Sequence, residues 1–227
     1  MLYEKAMKFL IAWIAVMTVL TRPSWTTGKI RVLGVGQRMA LLREVRFPDL
    51  LFPRWQSVLV ISLIGMLIGL NPILRAALPD VSAPWRNVVV ELVVELVAGL
   101  LLIWVAFLVM VAMLRWWLKR GGRWDGQGDL FNLVAASWLV ADTLVAGYAS
   151  LAAPPFLIWH LFLPLWLYSL WVGAKAMASA IPQASLGYCI AGIAIGLVPA
   201  IAAAGLVFAL VGMVMAMTGL ASVGAGA

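Results

Sequence analysis

The chain of 227 residues has one cysteine, Cys189, and one histidine, His160. A single thiol excludes an intrachain disulfide and a thiolate metal centre built within one copy. A single imidazole excludes a haem held by two histidines, and no zinc-binding motif is present. Charge is scarce as well: Asp, Glu, Lys and Arg make up 11% of the residues, where a soluble domain usually carries about 25%. The apolar runs do not alternate with polar residues, which excludes the strand pattern of a membrane barrel. There is no Walker loop, no nucleophile elbow and no spacing that suits a Ser-His-Asp triad. Gly34-x-Gly36 lacks a third glycine and a surrounding strand–turn–helix unit, so it does not read as a dinucleotide loop. No cofactor and no enzymatic activity are expected.

What the chain has is apolar length. Five runs cover roughly Ser57–Leu74, Val88–Trp117, Leu130–Leu151, Phe156–Ala174 and Leu186–Met217. A hydrocarbon layer about 30 Å thick is crossed by about 20 apolar residues in a helix, and helices satisfy their own backbone polar groups there. The expected fold class is all-α: a polytopic transmembrane helix bundle of five core spans, with an N-terminal apolar helix as a sixth candidate. Residues 1–21 form that apolar helix, 22–54 a basic amphipathic segment, 55–218 the five-span bundle and 219–227 a flexible tail. The second run is overlong, about 46 Å as a helix from Val88 to Leu118, so its ends protrude or it tilts. Twelve tryptophans fit the same picture, because Trp55, Trp85, Trp116, Trp117 and Trp124 fall near the boundaries where amphipathic rings settle.

The net charge of +7 is a weak sign of nucleic-acid binding and a strong sign of membrane orientation, and no nucleic-acid partner is expected. Arg22, Lys29, Arg31, Arg38, Arg43, Arg46 and Arg54 share one segment; Arg115, Lys119, Arg120 and Arg123 share another; Lys175 joins them on the same side. The opposite side holds Lys5, Lys8, Arg75 and Arg86. The positive-inside rule places 22–54 and 115–128 in the cytosol. The expected location is a bacterial cytoplasmic (inner) membrane. Met39–Arg46 carries apolar residues at helical spacing with arginines between, and Pro48 and Pro53 follow. That pattern suits an interfacial helix whose Arg38, Arg43 and Arg46 meet lipid headgroups.

Three segments carry a family likeness. They are Phe47-Pro48-Asp49-Leu50-Leu51-Phe52-Pro53; the turn Gly121-Gly122-Arg123-Trp124-Asp125-Gly126-Gln127-Gly128-Asp129-Leu130-Phe131 that opens the third run; and Leu165–Met177 at the close of the fourth run. In this order, over about Arg38 to Gly212, the chain resembles the bacterial form of the Yip-domain family of polytopic membrane proteins. The resemblance implies a five-helix bundle with a cytosolic N-terminal flank and no agreed reaction. Eukaryotic members of that family bind prenylated GTPases and shape membranes. This chain lacks their long polar N-terminal region.

Ionisable groups inside a bilayer are costly and mark the places to look for function. Asp142 lies halfway along the third run, with Tyr168 or a Ser or Thr hydroxyl as the expected partner across a helix pair. Glu91 and Glu95 share one helix face, and His160 lies inside the fourth run. In the fifth run, Gly192, Gly196, Ala200 and Ala204 recur every four residues. Small residues on one face let helices approach closely, so this stripe is a packing surface or a docking face, and Pro199 bends the same helix. The function these features imply is a non-enzymatic scaffold, membrane organiser or accessory subunit of a larger complex. Its partners are membrane lipids and a partner membrane protein or a second copy. A small ion-coupled transporter using the intramembrane carboxylates is the alternative.

Overall fold

The computed structural model describes the backbone of residues 31–70, 88–149 and 155–217; the side chains of 88–91, 143–149 and 155–162 lie outside the described set. Six α-helices and one 3-10 turn make up the described residues: α1 Arg31–Ala40, the turn Phe47–Leu50, α2 Arg54–Gly69, α3 Val88–Arg120, α4 Leu130–Ala149, α5 Pro155–Ala180 and α6 Leu186–Met217. The class is all-α. Among the described residues, two helices are long and apolar enough to cross a membrane, Leu92–Arg120 and Leu186–Met217. The N-terminal apolar segment, the 71–87 connection and the C-terminal tail lie outside the described residues.

Helix ends follow local chemistry. Asp129 caps α4, its Oδ1 accepting the Asn132 N–H at 3.2 Å, and Ser185 caps α6 by accepting the Tyr188 N–H at 3.4 Å. Both satisfy a donor that the first helical turn leaves free. At its C-terminal end α3 stops in a paired-bond motif. Gly122, at φ 61°, donates to the Lys119 carbonyl at 3.0 Å, and Arg123 donates to Leu118 at 3.1 Å. A glycine in the left-handed region is the usual residue there.

The same motif ends α1, with a leucine in the glycine's place. Leu42 sits at φ 54°; its N–H donates to Met39 at 2.8 Å and that of Arg43 to Arg38 at 2.9 Å. This corrects the expected interfacial helix over Met39–Arg46. The helix lies one stretch earlier, and the chain from Arg43 to Arg46 is irregular. The apolar spacing that predicted a helix across 39–46 is instead divided between the two sides of a turn. Within α1, Val32, Val35, Gly36 and Met39 are buried at i, i+3, i+4 and i+7.

The described residues divide into two compact units. The first holds 31–58 and Leu118–Ala191: α1, the 3-10 turn, the start of α2, the end of α3, all of α4 and α5, and the start of α6. Here α4 packs against α5, and α1 lies on both. Gly36 faces Ala136, Leu139 and Val140 of α4. Among the described residues, Arg115 is the one cation outside this unit.

The second unit holds Leu59–Trp117 and the chain from Gly192 onward, so it is built from α2, α3 and α6. Along the α2–α3 contact, Ser62 accepts from Trp104 Nε1 at 3.2 Å. One turn on, Gly65 faces Ile103, Leu100 and Gly99, and a further turn on, Gly69 faces Glu95 and Leu96. Rising numbers on α2 meet falling numbers on α3, so the pair is antiparallel. The α3–α6 contact runs the same way: Gly192 faces Trp117 and Leu114, Gly196 faces Met110 and Met113, and Met215, Phe208 and Val211 cluster with Ala98 and Val94.

Candidate functional site

A strap, residues 40–56, is fastened from beneath by side chains that the apolar runs supply. Asn132, in the first turn of α4, is fully buried. Its Nδ2 donates to the carbonyls of Leu50 at 3.0 Å and Phe52 at 2.9 Å, and its Oδ1 accepts from Ser57 Oγ at 2.7 Å. Two carbonyls and one hydroxyl fix which end of the amide is which, because carbonyls only accept. Buried amides are tolerated when satisfied in this way.

Three further anchors fasten the same segment. Tyr168 on α5 donates its hydroxyl to the Ala40 carbonyl at 2.7 Å. The Val45 N–H donates to Ser179 Oγ at 3.4 Å, and that hydroxyl lies 3.1 Å from the Val45 carbonyl. Buried Gln56 accepts the Val32 N–H at 3.3 Å and so satisfies a free donor at the start of α1. Between the anchors, Val45, Leu50 and Phe52 are buried.

From α1, Arg38 reaches across to the strap, donating to the Glu44 carbonyl at 2.8 Å and pairing with Asp49 at 3.2 Å. The Arg46 N–H donates to Asp49 Oδ2 at 3.1 Å. That backbone donor, aided by Arg38 against the opposing effect of burial, holds the Asp49 carboxyl below the usual carboxylate range. Arg54 pairs with Asp129 at 3.1 Å, which ties the strap's far end to the cap of α4. Beside it, Gly128 at φ 87° leaves room for the Phe47 ring, which any side chain there would strike. The turn before α4 is held by Trp124 Nε1 donating to Gln127 at 2.6 Å. Arg123 donates to the Gln183 carbonyl at 3.2 Å and lies over the Tyr188 ring.

The outer side of the strap differs in kind from the inner side. Leu41, Leu51 and Trp55 are 59%, 67% and 54% exposed, and Arg43, Arg46 and Arg54 are exposed beside them.

The sequence-predicted residues fall into this frame unevenly. Arg43 and Arg46 lie on the outer side, while Arg38 is occupied by Asp49 and Glu44. Asp142 is partly buried in α4 and makes no hydrogen bond among the described residues; Tyr168, expected as its partner, gives its proton to Ala40 instead. Glu95 is buried on α3 against Gly69 of α2. The side chains of Glu91 and His160 lie outside the described residues. Gly192, Gly196 and Ala200 are buried, the first two against α3, and Ala204 is partly buried.

No protein-family model, curated protein or solved structure matches the chain. The likeness to the Yip-domain family therefore rests on the sequence motifs alone.

Sequence reasoning passed over two features. Asn132 is the sole amide inside the third apolar run, and its place three residues after Asp129 marks a capped helix start. Gly65 and Gly69 form a G-x-x-x-G pair within a continuous apolar stretch, a signal for close helix approach.

Proposed function

We propose that the chain is a polytopic helix bundle of a bacterial cytoplasmic membrane, Yip-like in arrangement. In this reading it serves as a non-enzymatic scaffold, membrane organiser or accessory subunit, with 22–54 and 115–128 in the cytosol. One observation carries it. The longest apolar helices are poorly buried: 33% of the most apolar window of Leu92–Arg120 lies inside the protein, and 17% of that of Leu186–Met217. A core helix of a soluble protein is buried round its apolar face. Here Val198, Ile201, Leu206, Met213 and Met217 are exposed along α6, and Leu92, Val97, Leu101 and Leu108 along α3. Apolar surface on this scale needs lipid or a partner as its solvent.

Among the described residues, buried Asn132, Gln56 and Ser57 and partly buried Ser179 fasten the strap, while buried Glu95 and Ser169 lie outside it. The use of these polar groups in structural bonds supports the non-enzymatic part of the reading. The test has two stages. Alkaline carbonate extraction of membranes is expected to leave the chain in the pellet, and release into the aqueous phase would end the membrane reading. Purification in mild detergent is then expected to retain partner subunits or self-association. A monodisperse monomer whose melting shifts with added substrate would favour the ion-coupled transporter.

A further inference from the structure

The geometry points to the outer side of the strap as a membrane contact selective for anionic phospholipid headgroups. In it Leu41, Leu51 and Trp55 enter the interface, and Arg43 and Arg46 meet lipid phosphates. This rests on the membrane reading above and deepens it by naming the lipid class.

The strap's inner side is already engaged by the fold. The backbone is held at Ala40, Val45, Leu50 and Phe52 by Tyr168, Ser179 and Asn132. Val45, Leu50, Phe52 and Gln56 fill the space beneath. Leu41 and Leu51, which lie between these anchors, and Trp55, which lies between Phe52 and Gln56, are large apolar side chains each more than half exposed. In water alone this combination is unfavourable, since each exposed apolar side chain forgoes the gain of burial. Arginines flank them: Arg43 follows Leu41 by two residues, and Arg54 adjoins Trp55. Arg31 also reaches the Leu51 carbonyl at 3.4 Å.

Apolar side chains with arginines between them match the boundary of a bilayer, where chains enter the acyl edge and guanidiniums stay with phosphates. The sign of the charge selects the lipid. Glu44, exposed between Arg43 and Arg46 in sequence, meets Arg46 only loosely at 4.0 Å, with both side chains largely exposed. Asp49 and Asp129 are taken up by Arg38 and Arg54. The remaining charge on this face is positive, and an anionic surface is its complement. The preformed strap avoids the ordering entropy that a disordered basic tail loses on binding.

The test uses the full chain carrying Cys189→Ser and Leu51→Cys, labelled at residue 51 with a fluorophore. It is reconstituted in nanodiscs of phosphatidylcholine with a minority of phosphatidylglycerol. One lipid or the other is brominated near the headgroup, so that quenching reports its proximity. Brominated phosphatidylglycerol is expected to quench more strongly than brominated phosphatidylcholine at equal mole fraction, and raised salt is expected to narrow the gap. Arg43→Gln with Arg46→Gln is expected to reduce the preference by about fivefold per arginine. Equal quenching by the two lipids, or a preference that survives the double substitution, overturns the proposal. Soluble glycerol phosphate is expected to have no effect; if it abolishes the preference, the face binds free phosphate and the bilayer assignment fails. Native mass spectrometry of the unsubstituted chain, released from mixed-lipid discs, repeats the test without cysteine changes. Excess retained phosphatidylglycerol is expected, and retention in proportion to the mixture overturns the idea. A chain that does not incorporate even into neutral discs would instead refute the membrane reading itself.

Discussion

In the first unit, Asn132 holds α4 to the strap through an amide that reaches two carbonyls; in the second, Gly65, Gly69 and Gly99 hold α2 to α3 by having no side chain at all. The first is directional. It places a particular backbone stretch over a particular helix, and it works because water is excluded and each buried partner is satisfied. The second is steric. Backbones meet closely, and dispersion between the packed surfaces supplies attraction. Charge follows the same division, since nearly every described cation belongs to the unit with the polar anchors. Polar anchors thus gather around the stretch where the backbone departs from helix, while the α2–α3 contact adds the Ser62–Trp104 hydrogen bond to glycine and apolar packing.

Asn132→Leu is the substitution expected to break the polar side most severely. It keeps the volume and leaves the Leu50 and Phe52 carbonyls buried without donors, a loss of about 2–5 kcal/mol. The thermal midpoint of the purified protein in detergent should fall sharply, and proteolysis within 41–54 should accelerate. Unchanged protection of that segment would show that the amide is not its main anchor.

Gly99→Leu attacks the steric side. The added side chain meets the backbone of Gly65 and Gly69, and α2 and α3 must separate, which costs about 1–3 kcal/mol. Cysteines placed at Ser62 and Trp104 should then cross-link more slowly than in the parent. The strap's proteolytic protection should be spared, because the two substitutions act on different units.

A finer comparison sets Gly122 against Leu42, the two left-handed residues that end α3 and α1. A methyl group at Gly122 would meet nothing within 4 Å, so Gly122→Ala isolates the backbone term and should cost about 1 kcal/mol. A loss much larger than that, measured by thermal melting, would mean that the Arg123 contacts depend on this turn.

The smallest expected effect is acidic. The Asp49 carboxyl is held below its ordinary value of 3.8, so its contribution is complete above that value and is lost as pH falls through the lower folded value. Stability of the strap should decline below about pH 4, and Asp49→Asn should flatten that part of the curve. An identical acid profile in the variant would assign the decline to other carboxylates.

The helices were legible because a long apolar run needs no fine register to be recognised: Leu186–Met217 was predicted with both of its bounds, and Val88 opens α3 where expected. The strap was not legible, for a specific reason. Its helix ends at Leu42, a residue with no sequence mark of the left-handed region, whereas Gly122 announces its own turn. The inner anchors were equally obscure. Ser179 and Tyr168 lie more than 120 residues from the carbonyls they meet, and local periodicity carries no trace of such pairs. Arg38 looked like its neighbours Arg43 and Arg46, and only the fold shows that Asp49 claims it.

The strap's fasteners have a consequence for biosynthesis. Leu50 and Phe52 leave the ribosome about 80 residues ahead of Asn132, and Ala40 and Val45 about 130 ahead of Tyr168 and Ser179. At roughly 5–20 residues per second, the first of these moorings arrives several seconds after the segment it secures. In the membrane reading proposed above, the nascent chain would during that interval present a basic stretch not yet tied to α4 or α5, so Arg43 and Arg46 would be read for orientation before those moorings form.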